Sequence, residues 1–273
     1  MGKDSVRVRP GDRVKLAKVD PGDTLDVRDR AEAADIVARG QERLAALQGF
    51  LAAERQRALV VVLQGMDASG KDGVVRMLFG GLNPMIVHQH AFGVPTKPEL
   101  AHDFLWRVTA ELPERGRIAV FNRSHYEDVL IVRVDGLVPE SVWRPRYEAI
   151  NEWEARLAAN GTAICKFMLH ISPDEQLQRQ RERVQTPEKR WKFNADDMRK
   201  RGQWDDYMRA YEDVIELTGT KAAPWHVVPA DHKWARDALI VREVVSALEA
   251  MDLPEPPVPA DAPPELRTGG AKD

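Results

Sequence analysis

Residues 59–63 carry no charge and run, through Gln64, into Gly65-Met66-Asp67-Ala68-Ser69-Gly70-Lys71. An apolar strand, then G-x-x-x-x-G-K, then the start of a helix is the order that a phosphate cradle requires. Glycines let backbone N–H groups turn inward at angles that a Cβ would block. The helix that follows directs its partly positive N-terminus at the anion. Lys71 adds a mobile positive charge for terminal phosphates. Gly65, Ala68, Ser69 and Gly70 are therefore candidate substrate-binding positions, and Lys71 is a candidate catalytic one. The bland alternative is a glycine-rich turn with an exposed lysine.

Two carboxylates make this loop unusual. Asp72 stands where such loops usually carry a Ser or Thr that ligates Mg²⁺. An acid there suits the helix dipole, and its position keeps it among the candidate substrate-binding residues. Asp67 lies inside the loop. A carboxylate beside bound phosphates is repelled unless a cation lies between them. Asp67 is thus either a metal anchor or a group that orients the phosphoryl acceptor.

Strand-like and helical segments alternate over the chain of 273 residues, which predicts one α/β domain. Further strands are expected at 85–91, 117–121, 163–169 and 225–228. Helices are expected at 28–56, 99–111, 139–158, 173–184, 196–217 and 232–251. The predicted fold is a parallel five-stranded sheet with helices on both faces, its ligands bound beyond the carboxyl ends of the strands. Residues 28–252 would form the core. Residues 1–27 read as an extension laid over the surface, and the proline-rich stretch 253–273 as a flexible tail. Net charge is −3, which gives no sign of bulk nucleic-acid binding. The single cysteine, Cys165, excludes an internal disulfide and a cysteine-rich metal site. No apolar run reaches membrane-spanning length, so a cytoplasmic protein is expected, with no membrane partner.

A dense polar cluster, Asn122-Arg123-Ser124-His125-Tyr126-Glu127-Asp128, follows the third strand. Arg123 can hold phosphate oxygens with its fork of donors. Glu127 and Asp128 are candidate metal ligands, directly or through water, and Asn122 can orient a phosphate or a metal-bound water. Ser124 with Glu127 three residues on also has the spacing of a helix capping box. A basic segment, 174–204, includes Arg179, Arg183, Lys189 and Lys192 and has the character of a helical lid that closes over a polyanion. Interspersed acids leave a solvated helix face as the alternative. Lys97 is a further candidate phosphate contact, and Trp191 a candidate stacking surface for a base. His88 and His90 alternate on the second strand and share a face, with no further metal ligand evident nearby.

Taken together, these motifs resemble family-2 polyphosphate kinases. The resemblance rests on the loop from Gly65 to Gly73, on Phe121 to Asp128, and on Arg179, Arg183, Pro187, Lys189, Trp191, Lys192 and Phe193. It extends to the stretches 102–107, 170–173 and 225–231. It implies a P-loop kinase fold similar to thymidylate kinase. It also implies phosphoryl transfer between inorganic polyphosphate and nucleotides with Mg²⁺ or Mn²⁺. Asp67 would position metal or acceptor. Lys71, Asn122 and Arg123 match the family's loop lysine and Asn-Arg pair, and Arg179, Arg183, Lys189 and Lys192 its lid cations. Glu127 with Asn122 resembles members that phosphorylate both nucleoside mono- and diphosphates. Adenine nucleotides are the expected acceptors, with guanine nucleotides as further candidates, and a homo-oligomer is expected. The rival readings are an ATP-dependent nucleoside monophosphate kinase and a non-catalytic nucleotide or phosphate sensor.

Overall fold

The computed structural model describes residues 6–263. Five parallel strands form one sheet in the order β2-β3-β1-β4-β5. They are β1 (Ala58–Gln64), β2 (Val87–Ala91), β3 (Ile118–Asn122), β4 (Thr162–His170) and β5 (Trp225–Pro229). The helices are α1 (Arg30–Glu54), α2 (Lys71–Phe79), α3 (Lys97–Leu100), α4 (Trp106–Thr109), α5 (Ile131–Val134) and α6 (Glu140–Trp143). They continue with α7 (Arg146–Ala159), α8 (Pro173–Gln185), α9 (Asp196–Gly202), α10 (Trp204–Thr218) and α11 (Lys233–Glu249).

β1 explains the sheet's position. All seven of its residues are buried, because alternate side chains enter different cores. Leu59, Val61 and Leu63 pack with Leu44, Leu47 and Leu51 of α1, Val74 and Leu78 of α2, and Val241 of α11. Val60 and Val62 pack with Ile150 and Trp153 of α7 and with Tyr211 and Val214 of α10. Burying each such side chain is worth roughly 1.5–3 kcal/mol, so a one-residue slip of β1 is strongly disfavoured. Leu63 pairs with Asn122 of β3 and with Phe167 of β4, which brings the carboxyl ends of the three central strands level.

Several expected elements differ. The helix expected over 99–111 is two single turns, α3 and α4. Between them Asp103 Oδ1 accepts the Leu105 N–H (2.9 Å) in a local turn that competes with the helix. The helix expected over 139–158 divides at Pro145, which lacks an N–H. The helix expected over 196–217 divides at Gln203. β2 starts at Val87 because Ile86 is held in a turn, its N–H bonded to Asn83 O (3.1 Å). The N-terminal stretch does not merely lie on the surface. Val6, Val8, Leu16 and Val27 are buried, and Arg7 bridges His226 of β5 in antiparallel pairing. The readings for residues 1–5 and 264–273 lie outside the described residues. Among the described residues, no helix is long and apolar enough to cross a membrane.

Candidate active site

The turn from β1 into α2 is built for close approach. Gly70 takes a φ of +104°, and a Cβ there would sit 2.1 Å from Arg236 Nη1. Ala68 also has a positive φ, +67°. The loop is braced from outside. Arg179 Nη1 donates to Ala68 O (3.2 Å) and Ser69 O (2.9 Å), and its Nη2 to Ala230 O (2.6 Å) and Asp231 O (2.9 Å). Gly65 N–H donates to the Tyr211 hydroxyl (3.2 Å), and Gln176 Nε2 to Asp67 O (3.1 Å).

Lys71 is buried. Its Nζ donates to Gly65 O (2.8 Å) and Met66 O (3.2 Å). Burial, with the nearby charge of Arg123, lowers its pKa to about 8. For Asp67, burial acts to raise the pKa, but Arg123, Lys71 and Lys200 outweigh it and hold the carboxyl below its usual value. Asp67 Oδ1 accepts a bond from Arg123 Nη2, and its Oδ2 lies 3.6 Å from Lys200 Nζ. Arg123 sits just past β3 with a φ of +63°, a strained backbone for a side chain of its size. Its Nη1 is 4.0 Å from Glu127 Oε2. Asp67 and Glu127 thus lie on either side of one guanidinium.

The turn holding Arg123 is anchored beneath. Gln64, with its amide turned to suit both neighbours, donates to Glu127 Oε1 (3.1 Å) and accepts from Ser124 N–H (3.3 Å). The capping box expected at Ser124 and Glu127 does not form. Ser124 Oγ accepts the Tyr126 N–H (3.2 Å), and a 3-10 turn, His125–Asp128, follows. Deeper still, Lys166 Nζ donates to Glu154 Oε2 (2.6 Å) and the Tyr126 hydroxyl (2.8 Å).

A cleft of about 680 Å³ opens above the loop. Eight Lys or Arg and four Asp or Glu side chains line it. It gathers Asp67, Ala68, Gly70, Lys71, Asp72, Asn122, Arg123, Arg179, Arg183, Lys189 and Lys192 of the sequence candidates, and Trp191 as well. The lid consists of α8, a 3-10 segment (Pro187–Lys192) and α9. Gly65 and Ser69 are buried at the loop's base, and Glu127 lies behind Arg123 rather than on the cleft wall. Lys97 is exposed at the start of α3 and is not among the residues that line the cleft. Arg179 lines the cleft, with its fork engaged by four carbonyls. Sequence reasoning did not single out Arg76 and Lys233, which line the cleft, or Lys200 beside Asp67. Lys200 lay within the basic segment, but no spacing rule marked it.

A parallel sheet that ends in a phosphate loop, crossed by a basic helical lid, defines a P-loop kinase. The profile of the polyphosphate kinase 2 (PPK2) family matches residues 27–256, and the chain belongs to that family. It is 50% identical over 253 residues to the AMP/ADP-polyphosphate phosphotransferase of Meiothermus ruber, with 92% of this chain and 95% of that one covered. It is 42% identical over 266 residues to the ADP-polyphosphate phosphotransferase of Rhodopseudomonas palustris, with 92% and 91% covered. The crystal structure of polyphosphate kinase 2 from Arthrobacter aurescens TC1 superposes with a TM-score of 0.90 at 42% identity, covering 94% of this chain and 92% of that one.

Proposed function

We propose that this enzyme transfers phosphoryl groups from inorganic polyphosphate to AMP and then to ADP by direct in-line displacement. One observation carries the reading: the line of cations runs from Lys71 in the loop to Lys189 and Lys192 in the lid. A nucleotide triphosphate needs only the loop end of such a strip. A long polyanion uses all of it. Asp72 in place of a loop hydroxyl also disfavours the ATP-dependent nucleoside monophosphate kinase. The names of the Meiothermus and Rhodopseudomonas relatives support polyphosphate as donor, and the former supports both acceptors.

In this reading the terminal phosphoryl group lies over the loop N–H groups. Lys71 leaves Gly65 O and Met66 O to bind its oxygens. Arg123 offsets charge on the transferring group, and the lid cations hold the chain and exclude water. The nucleotide's phosphate is already anionic at neutral pH, so Asp67 acts by orienting the acceptor more than by removing a proton. Mg²⁺ or Mn²⁺ suits the donors available. Asp67 offers a carboxylate on the cleft wall, Glu127 could join it only if Arg123 moved aside, and phosphates and water would complete the usual oxygen shell. The ion would neutralise phosphate charge when bound.

Purified protein incubated with Mg²⁺, long-chain polyphosphate and either AMP or ADP is the test, with nucleotides resolved by chromatography. ATP formed from both acceptors is the expected result. ATP from ADP alone would restrict the acceptor. Product from AMP only when ATP is the donor would overturn the reading. Asp67→Asn and Lys71→Ala should each lower turnover by about 100-fold or more while the fold persists.

A further inference from the structure

We infer that His88, His90 and Glu111 form a second metal site, distinct from the phosphate cleft, for a divalent transition ion of the zinc type. His88 and His90 stand two apart on β2, so their side chains leave the same face of the strand. Glu111 comes from the turn just after α4. Its Oε2 lies 2.6 Å from His88 Nε2 and 3.0 Å from His90 Nδ1. Two ring nitrogens from one segment thus converge on one carboxylate oxygen from another. The three candidate ligand atoms all lie within 4.8 Å of one another.

Those distances suit exchange of the shared protons for a metal. Ligands about 2.0–2.2 Å from a tetrahedral ion lie roughly 3.4 Å apart. Small rotations of side chains that are partly exposed achieve that spacing. His90 is well oriented: its ring lies 4.3 Å from that of Phe92, which packs edge-on against Phe121.

Two imidazoles and one carboxylate select zinc, cobalt, nickel or copper over Mg²⁺, which prefers an all-oxygen shell. The site therefore differs in chemistry from the Asp67–Glu127 pair. None of its three ligands lines the cleft itself, and His90 borders the adjoining hollow that shares Asp72, Arg76, Ala91 and Asn122 with it. A bound ion would clip the edge strand β2 to the segment after α4. β2 leads directly into Ala91 and Phe92 on the cleft wall, so the clip would stiffen one side of the site without joining its chemistry.

The test uses untagged full-length protein stripped with chelator and held in excess Mg²⁺. Zn²⁺ is titrated against a chromophoric indicator, and Co²⁺ uptake is followed by its visible absorption. One equivalent bound, with a tetrahedral cobalt spectrum, is the expected result for the wild type and for Asp67→Asn. His88→Ala, His90→Ala and Glu111→Gln should each weaken Zn²⁺ binding by at least about 100-fold. Their melting curves without metal check folding, and His88→Gln serves if His88→Ala does not fold. No uptake by the wild type, equal uptake by all variants, or uptake lost in Asp67→Asn but kept in His88→Ala would each overturn the inference.

Discussion

Lys192 in the lid forms an ion pair with Asp72 in the first turn of α2, so the lid is tied to the phosphate loop by one of its own cations. Asp72 is held ready for this, since its other oxygen accepts from Asn122 Nδ2 (2.7 Å). Polyphosphate must compete with Asp72 for Lys192. A partly exposed pair of this kind is worth about 0.2–1 kcal/mol. Asp72→Asn should therefore lower the KM for polyphosphate by about 1.4- to five-fold, with a smaller change in kcat. Steady-state kinetics at varied polyphosphate check this, and an unchanged KM would show that the tie does not limit binding.

Arg179 and Arg183 lie on one lid helix but predict different phenotypes. Arg179 is buried and bonds four carbonyls from two loops, which the point charge of a lysine cannot do. Arg179→Lys should cost roughly 3 kcal/mol of stability in urea denaturation. Arg183 is more exposed and pairs with Asp197 (3.1 Å). Arg183→Ala should cost about 1 kcal/mol or less and instead raise the KM for polyphosphate. Equal stability losses in the two variants would contradict this division.

The lowered pKa of Lys71 has a kinetic signature. The ammonium is charged below about pH 8 and loses its proton as pH rises through that value. The profile of kcat/KM reports the free enzyme, so it should fall above about pH 8 with a single-proton slope. Lys71→Arg, slower overall, should lose that limb because its charge persists. The stability sign follows from the same shift. Between about 8 and the ordinary 10.5 the unfolded chain binds more protons at this position. Folding stability should therefore rise with pH across that window, and Lys71→Met should lack this contribution.

Lys200 acts on the opposite limb. With Arg123 and Lys71 it overcomes the effect of burial on Asp67. Removing its charge in Lys200→Met should raise the Asp67 pKa and move the acid limb of kcat/KM to higher pH. A limb that stays in place would mean that the 3.6 Å approach to Asp67 Oδ2 does not matter in solution.

The sequence displayed what local chemistry encodes. The apolar run of β1 and the glycines after it required a strand, a turn and a helix, and alternating elements required the parallel sheet. Contacts between distant segments were not legible. Nothing near Arg179 in sequence indicates that its fork would find Ser69 O and Ala230 O. Lys200 looked like any other cation of its segment until α9 brought it to Asp67. The pair His88 and His90 was visible, but Glu111 stood at the end of a predicted helix that proved to be two single turns, and only the fold brings it to the strand. The break at Pro145 is written in the proline itself, although apolar spacing continues across it from Trp143 to Tyr147, and the break at Gln203 follows Gly202.

Lys166 and Glu154 place a charge pair deep in the sheet, beneath the turn that follows β3. Lys166 is wholly buried, and its Nζ meets Glu154 Oε2 (2.6 Å), the Tyr126 hydroxyl and Thr218 O. Burial would raise the Glu154 pKa, but Lys166 and His125 hold it down, so the carboxylate stays ionised. Tyr126 in turn donates to Glu154 Oε1 (2.7 Å) and belongs to the same turn as Arg123 and Glu127. Lys166→Met leaves a buried carboxylate without its cation and should cost about 3–5 kcal/mol in urea denaturation. Replacing both partners, Lys166→Met with Glu154→Leu, removes the stranded charge and should recover most of that loss. Turnover should not recover with it, because the Tyr126 hydroxyl has lost both groups that fix the turn. A double variant regaining stability and turnover together would reduce the pair to a packing element with no part in holding Arg123.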